Sequence, residues 1–587
     1  MNWYSQRMLK AAEKRFLERT LLATAALASV AVTPKTTADP INVVKMAVIA
    51  VLGFSTAGLL ALNFQKLYRK GNKLVFNISG LFILFLLLGI ITSGKNFNQE
   101  FFGTYGRNSG FVTYISLLIL MLCASVISSE SFVRKFIFTF IAVGILSTVY
   151  GYLQHVGIEP AGWVSPYNPI LGFMGNPDFM GAFLGLTIIA ALGPILSPGV
   201  DVKYRGLCIA YVLAAFYLIR LTGVKQGLMV VITGISVVIV VRVFFSKLRV
   251  LSYLALGVSF FVGGLVFLAL LNVGPLAGLL YKASLTARGY YWQAAIRMIQ
   301  ENPILGVGLD SYGDWYRRTR SLEAYNWLPT QYSDSAHNVY LDIAAGGGIP
   351  LLLVYFSLMV LVVVIAIKEL KTLQTFDSFF AALLAIWVGF SAQLLISINQ
   401  IGIAVWGWIA TGLLIGYHNR NREISESLIS TQPKTKKIKG YKSNFRETTL
   451  RSEAVVSIAI GLSVGCLMGL PTYIGAARYF TALSSGEVQS IERAAYFWPK
   501  NERHFMQVAI TLRDNKQNTI SANPKIDPNS IKDYSNLGLG IAREAIKYFP
   551  DSISAWQLLR SFPGITPQED ELSKREITRL DPIPHSK

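Results

Sequence analysis

The residues best suited to chemistry lie between Thr286 and Tyr340, where TARGYYWQAAIRMIQENPILGVGLDSYGDWYRRTR leads through an aromatic-rich run to SDSAHNVYLD. This is the one long polar interval between hydrophobic blocks, and it combines clustered arginines, many aromatic rings and a histidine. Together they suit an anionic, sugar-bearing substrate. Arg288 brings a planar guanidinium fork that grips phosphate oxygens in pairs, which a lysine does not do. On a helix capped by Thr286 and stopped near Glu301 by Asn302-Pro303, the residues Arg288, Tyr291/Trp292, Ala295 and Met298/Ile299 fall three to four apart. That stripe can lie on a membrane surface with Arg288 at its outer end, at the depth of a lipid-linked diphosphate. The competing reading is an interfacial arginine that reaches only lipid phosphates.

His337 stands in SDSAHN, just before a hydrophobic block. His418, His504 and His585 fall in a basic linker and a C-terminal tail, so His337 and His155 are the histidines at the outer surface. With an unperturbed pKa of about 6.5, a histidine can take a proton from a hydroxyl near neutral pH, and Asp334 or Asp342 could orient its ring. A purely structural histidine is the alternative. Lys225 in LTGVKQG, Arg107 in FFGTYGRNSGF, and Asn176 with Asp178 in FMGNPDFMGAF read singly as an edge charge, a turn and a helix cap. Together they would form a cationic pocket that holds and releases a diphosphate, with Trp292 and Asn338 as further substrate contacts. Tyr281, Tyr290, Trp315, Tyr316, Tyr325, Trp327 and Tyr332 can stack on sugars or serve as an ordinary aromatic belt. Asp310, Asp314 and Asp334 are scattered in sequence and no DxD triplet occurs. The expectation is a reaction with no metal and no cofactor, basic side chains supplying the charge stabilisation.

The elements that must carry these groups are membrane helices. The chain of 587 residues is 52% hydrophobic and 15% charged, and its apolar residues come in blocks of about twenty. Blocks fall at Phe16–Pro34, Val43–Phe64, Leu74–Thr92, Gly110–Ser128, Phe136–His155, Phe179–Ser197, Gly206–Leu221, Gln226–Val241, Val250–Leu271, Val339–Ile367, Ser378–Ile396 and Ile401–Gly416, with a thirteenth at Ala454–Ile474. Ala28-Ser-Val-Ala31 resembles a signal cleavage site, but an uncleaved first span is the preferred reading. Cys123, Cys208 and Cys466 all lie inside blocks, which implies neither a disulfide framework nor a zinc site.

The net charge of +21 suggests nucleic acid only until it is mapped. With the N-terminus inside, the inner segments carry 26 Lys and Arg, and the short outer turns carry six: Lys35, Lys45, Lys95, Arg107, Arg220 and Lys225. The positive-inside rule then places the Thr286–Tyr340 interval, Arg107, Asn176 and Lys225 on one outer face. The domain reading is a cytoplasmic N-terminus over 1–15, a twelve-span domain over 16–416 with an outer catalytic loop at 272–338, a basic cytoplasmic linker over 417–453, a span at 454–474, and an extracytoplasmic helical tail over 475–587. The linker, with Lys434, Lys436, Lys437 and Lys439, reads as a segment lying against anionic lipid. In the tail, IERAAYFWPKN and IAREAIKYFPDSISAWQLL are related, and Pro550 and Pro582 lie near the period of tetratricopeptide repeats. The tail resembles one to three degenerate repeats that would bind a protein or polymer partner; a small helical cap without a ligand is the alternative.

ARGYYWQAAIRMIQENPILGVGLDSY and SDSAHNVYLDIAAGGGIPLLL resemble the O-antigen ligase family, with its related O-antigen polymerases and bacterial protein O-oligosaccharyltransferases. The pattern is Arg, Trp, Asn-Pro, Gly-x-Gly, then His-Asn before a span, and weaker similarity runs through GTYGRNSGFVTYIS and GNPDFMGAFL. The resemblance implies an all-α, GT-C-like membrane glycosyltransferase at the bacterial plasma membrane. It would move a glycan from an undecaprenyl-diphosphate carrier to a hydroxyl of a lipid, glycan or protein acceptor, with inversion. It maps the family's base onto His337 and its loop arginine onto Arg288. A second family arginine maps onto Lys225, which keeps the charge but loses the fork. A polymerase of lipid-linked repeat units fits equally well. A transporter of lipid-linked sugars or small anions would favour ionisable residues near the bilayer midplane, and these spans have almost none.

Overall fold

All thirteen hydrophobic blocks are helices in the computed structural model, which describes residues 9–163, 168–270, 274–275, 277–280, 283–429 and 449–583. Tyr281, His585 and the lysines of the basic linker lie outside the described residues. Among the described residues there is no strand. Eight helices are long and apolar enough to cross a membrane, and four shorter ones, Phe111–Ile127, Val250–Leu265, Ser378–Gln393 and Ile401–Tyr417, are similarly apolar. The protein is a multi-pass membrane protein. The first block forms the Ala11–Val30 helix, more charged than the others yet packed inside the bundle through Leu17, Leu21, Ala25 and Ala28. Its Ser29 hydroxyl donates to the Gly402 carbonyl at 3.0 Å and accepts from the Trp406 indole at 2.7 Å.

Lys45 does not sit in an outer turn as its position near a block edge suggests. It is fully buried in the Asn42–Leu62 helix, where its ammonium donates to the carbonyls of Ala28 and Ser29 at 2.9 and 2.7 Å. Those carbonyls end the first helix and lack intrahelical partners, so a cation there satisfies both the hydrogen bonds and the negative end of the helix dipole.

The thirteenth block belongs to a much longer helix, Ser452–Ser485, which packs along Asn42–Leu62. Gly461, Gly465 and Gly469 repeat every four residues and form a stripe against the backbone of the partner helix near Phe54, Ala50 and Ala47. Small residues at this spacing let two backbones approach closely in lipid, where tight packing replaces the hydrophobic drive. The helix does not break at residue 474. It continues into the tail, where Tyr479 and Ala482 join a second core with Phe505, Leu512, Leu539, Phe549, Trp556 and Leu559. The tail is therefore an extension of a membrane helix, followed among the described residues by five further helices of eight or more residues besides short ones.

One break inside a membrane helix shapes the end of the bundle near the long loop. Val339–Thr372 changes direction at Gly348, whose φ is 80°. The freed backbone there is met by the segment after Asn302-Pro303: Val307 N–H donates to the Ala345 carbonyl at 2.7 Å, Gly308 N–H to Gly346 at 3.1 Å, and Ile349 N–H to Pro303 at 2.8 Å. Gly306, with φ 71°, sits directly on the Gly346 carbonyl, and a side chain at either glycine would collide with backbone. The Gly-x-Gly motif and the AGGG run are thus the two halves of one backbone joint.

Gly465→Leu is expected to push the Asn42–Leu62 and Ser452–Ser485 helices apart and lower stability by about 1–3 kcal/mol, because a Cβ there already lies 2.7 Å from the Ala50 carbonyl. Gly257→Leu, where a Cβ meets nothing within 4 Å, should leave the melting temperature in detergent unchanged.

Candidate active site

Arg107 is the hub of the end of the bundle that carries the 272–338 loop. It lies in the turn after the short Phe97–Phe102 helix, and its side chain is 8% exposed. Its Nε is 3.5 Å from Asp310, its Nη1 is 3.6 Å from the Asp334 carboxylate and donates to the Asp334 carbonyl, and its Nη2 is 3.9 Å from Asp342. Asp310 in turn accepts from the backbone N–H groups of Thr104 at 2.7 Å and Ser109 at 3.3 Å. Burial works against the charge of Arg107, but the three carboxylates outweigh it and hold the guanidinium more firmly protonated than usual. Two expectations are corrected here. Arg107 has carboxylate partners on every side, so it is not an open diphosphate contact. The aspartates are also not scattered: Asp310 and Asp334 converge with Asp342 around this cation.

This hub fixes His337. Asp342 accepts from the Ser335 hydroxyl at 2.7 Å and the Ala336 N–H at 2.8 Å, and the Ser335 hydroxyl accepts from the His337 N–H at 2.9 Å. The turn carries His337 in the left-handed region with φ 51°, and Asn108 and Asp310 share that conformation at 54°. These are three of the four non-glycine residues with positive φ among the described residues. Such conformations cost on the order of 1 kcal/mol each, and their concentration around one network shows how firmly it determines the backbone. Contrary to the expectation from sequence, neither Asp334 nor Asp342 orients the ring directly. The His337 Nδ1 faces the Ser335 carbonyl at 3.3 Å, which accepts from it in the Nδ1–H tautomer and leaves Nε2 as the basic nitrogen.

The arginine stripe lies beside this turn. Its helix spans Ala283–Glu301, so Thr286 is inside it and not its cap. The Arg288 side chain is 13% exposed, with Nη2 4.0 Å from the Asp178 carboxylate in the first turn of the Pro177–Leu196 helix. One turn on, the Tyr291 ring lies 5.5 Å from the His337 ring. Tyr291 is held at both ends, its hydroxyl accepting from Gln331 at 2.6 Å and its carbonyl from the Tyr312 hydroxyl at 2.8 Å. Burial first, and the Arg288 charge second, push the His337 imidazole below its ordinary pKa, so it is neutral at physiological pH.

The other candidates separate by role. Asn176 accepts from the Asp178 N–H at 2.8 Å and Asn338 from those of Tyr340 and Leu341, so both amide oxygens cap helices. Lys225 is exposed at the start of the Gln226–Phe244 helix, whose neighbour Val224 packs on Gly181 one turn below Asp178. It therefore shares an end of the bundle with Arg288. Trp292 is buried and, with Asn338, heads an apolar groove of about 870 Å³ that runs past Ile296, Leu352 and Phe356. Of the rings, Trp315 carries Lys95 and Arg318 on its faces, Tyr316 is buried and Tyr325 lies under Arg320. Tyr290 and Trp327 pair at 5.7 Å, and Trp327 and Tyr332 are exposed.

Sequence reasoning missed Ser335, Tyr291, Gln331 and two glutamines. Gln226 and Gln393 are 5% and 1% exposed, and their amides have no hydrogen-bond partner among the described residues. Val230 lies against Gly389 across the antiparallel helices Gln226–Phe244 and Ser378–Gln393, so one turn outward the two glutamines reach the same level. A polar residue at the outer tip of an apolar block was the available signal.

Arg107→Ala is expected to strand the buried Asp310 and Asp342 carboxylates and cost about 3–5 kcal/mol, seen as a lower melting temperature and less folded protein. A ligand contact would instead weaken substrate binding at unchanged stability.

No curated protein matches the chain. Residues 210–356 match the family model of the O-antigen ligase. That stretch contains Lys225, Arg288, the Gly-x-Gly joint and His337, so across the long loop and its flanking helices the chain is similar to the O-antigen ligase family.

Proposed function

We propose that the protein transfers a glycan from a polyprenyl-diphosphate carrier, undecaprenyl diphosphate in a bacterial plasma membrane, to an acceptor hydroxyl at the outer face. The observation that carries this reading is a neutral, buried His337 beside Arg288, next to an apolar groove headed by Trp292 and Asn338. The groove suits an isoprenoid chain, and its head lies where the diphosphate would meet Arg288. The acceptor oxygen attacks the sugar C1 from the face opposite the diphosphate; a C–O bond forms and the C1–O–phosphate bond breaks. The acceptor proton passes to His337 Nε2, and the diphosphate leaves as an anion facing Arg288, with Lys225 at the same end of the bundle. A diphosphate needs no proton to leave, so one base and two cations suffice. Gln226 and Gln393 supply amides for the hydroxyls of the donor sugar.

The family supports ligase or polymerase-like glycosyl transfer; a lipid, glycan or protein acceptor would each present the same hydroxyl. The positive-inside charge distribution supports an extracytoplasmic site and tail.

The test is transfer by purified protein from an undecaprenyl-diphosphate oligosaccharide in the presence of EDTA. His337→Ala should lower transfer by roughly 10²–10⁴-fold with unchanged folded protein, and near-normal transfer would remove His337 as base. Lys225→Arg should be tolerated where Lys225→Ala is not. The base must be neutral to act, and its pKa is depressed, so the acidic limb of kcat/KM should lie below the ordinary histidine pKa. Arg288→Ala removes a nearby positive charge and should move that limb upward.

A further inference from the structure

The tail touches the site through two carboxylates. Asp581, just past the Pro567–Leu580 helix, accepts both Nη2 contacts of Arg320, at 2.8 and 2.7 Å, with the two side chains 8% and 1% exposed. Arg320 follows the Tyr312–Thr319 helix in the catalytic loop. Its other nitrogen donates to the Pro329 carbonyl at 2.8 Å, two residues before the Gln331 that holds Tyr291. The carbonyls of Thr319 and Arg320 accept from Arg297 at 3.1 Å, and Arg297 lies on the same helix as Arg288.

Asp551 makes the second contact. It pairs with Lys95 and Arg318 of the membrane domain and with Arg579 of the tail. Burial alone would raise its pKa, but Lys95 and Arg318 hold it far below the usual carboxylate range. Around these points Asn96 donates to the Tyr548 carbonyl at 2.9 Å, Phe102 meets Trp498 edge-on at 5.3 Å, and His504 stacks on Tyr479 and meets Tyr105 edge-on.

We propose that Asp581 is a positioning residue for glycosyl transfer: through Arg320 it fixes both the helix that carries Arg288 and the loop that leads to His337. The tail is then a brace on the reaction centre. The buried pair, one Arg320 nitrogen shared between both Asp581 oxygens, holds a geometry that neither loop nor helix holds alone, because removing one partner leaves the other charged and unpaired. The effect on catalysis rests on the proposed transferase reading; the bracing itself does not.

The experiment compares full-length wild type, Asp581→Asn, Asp581→Glu and the control Asp570→Asn, whose carboxylate pairs only with the tail residues Arg560 and Lys574. Hydrogen exchange is read alongside transfer from the undecaprenyl-diphosphate oligosaccharide. Asp581→Asn is expected to speed exchange in segments 283–301 and 329–338 while leaving 378–393 unchanged. It should lower kcat more than it raises KM, by on the order of tenfold to a hundredfold, and Asp581→Glu should recover part of both. Unchanged exchange in those two segments overturns the brace, as does a rise spread evenly over the membrane helices with no rescue by glutamate. Altered exchange in a protein that transfers no glycan, even as wild type, retains the brace and refutes the transferase reading.

Discussion

A guanidinium taken out of water among three carboxylates is the constraint on which the loop end of the bundle depends. Desolvating each ion costs several kcal/mol, and the cost is offset only when all the partners arrive in good geometry. The partners of Arg107 come from three places: Asp310 after the Gly-x-Gly joint, Asp334 before the histidine turn and Asp342 in the first turn of a membrane helix. One charge balance therefore sets four segments against each other. A slip in any of them would leave a bare ion in a dry site, so the network selects one arrangement of the loop. The strained backbone at Asn108, Asp310 and His337 is tolerated for the same reason.

Two arginines of the same chemical type thus have opposite roles. Arg107 faces three carboxylates, whereas Arg288 has Asp178 at 4.0 Å as its ion-pair partner. A site that must bind an anion and let it go needs a cation with residual charge, and a site that must not move needs one with none to spare. The tail adds a second layer of ion pairs through Arg320 and Arg318. The loop is in this way bordered by arginines in ion pairs with buried or half-buried carboxylates, with the most loosely paired guanidinium at the Arg288 end.

The membrane helices were legible in the sequence because length and apolarity alone decide them: all thirteen blocks are helices, although two run on well past the expected ends, to Ile429 and Ser485, where polar residues continue the helix. The site was legible in part. His337, Arg288 and Lys225 stood out by type and position, and the structure gathers them at one end. What the sequence concealed was pairing: Arg107 and Arg288 look alike until Asp342, buried near the start of an apolar run, is seen beside one of them. Lys45 was misplaced for a related reason, since a cation near a block edge reads as exposed unless the open carbonyls of Ala28 and Ser29 are known to lie beneath it. The glycine stripe of Ser452–Ser485 was visible as a spacing, but only a partner helix gives it meaning.

That helix leads from the bilayer directly into the core of the tail, and the chain is made from its N-terminus. The twelve helices and the loop bearing His337 emerge long before Asp581, and the bundle can be inserted while its loop is still unbraced. Arg318 and Arg320 therefore wait for carboxylates that are made later than they are. Chain order thus acts as a timer on the pairing of the loop's charges.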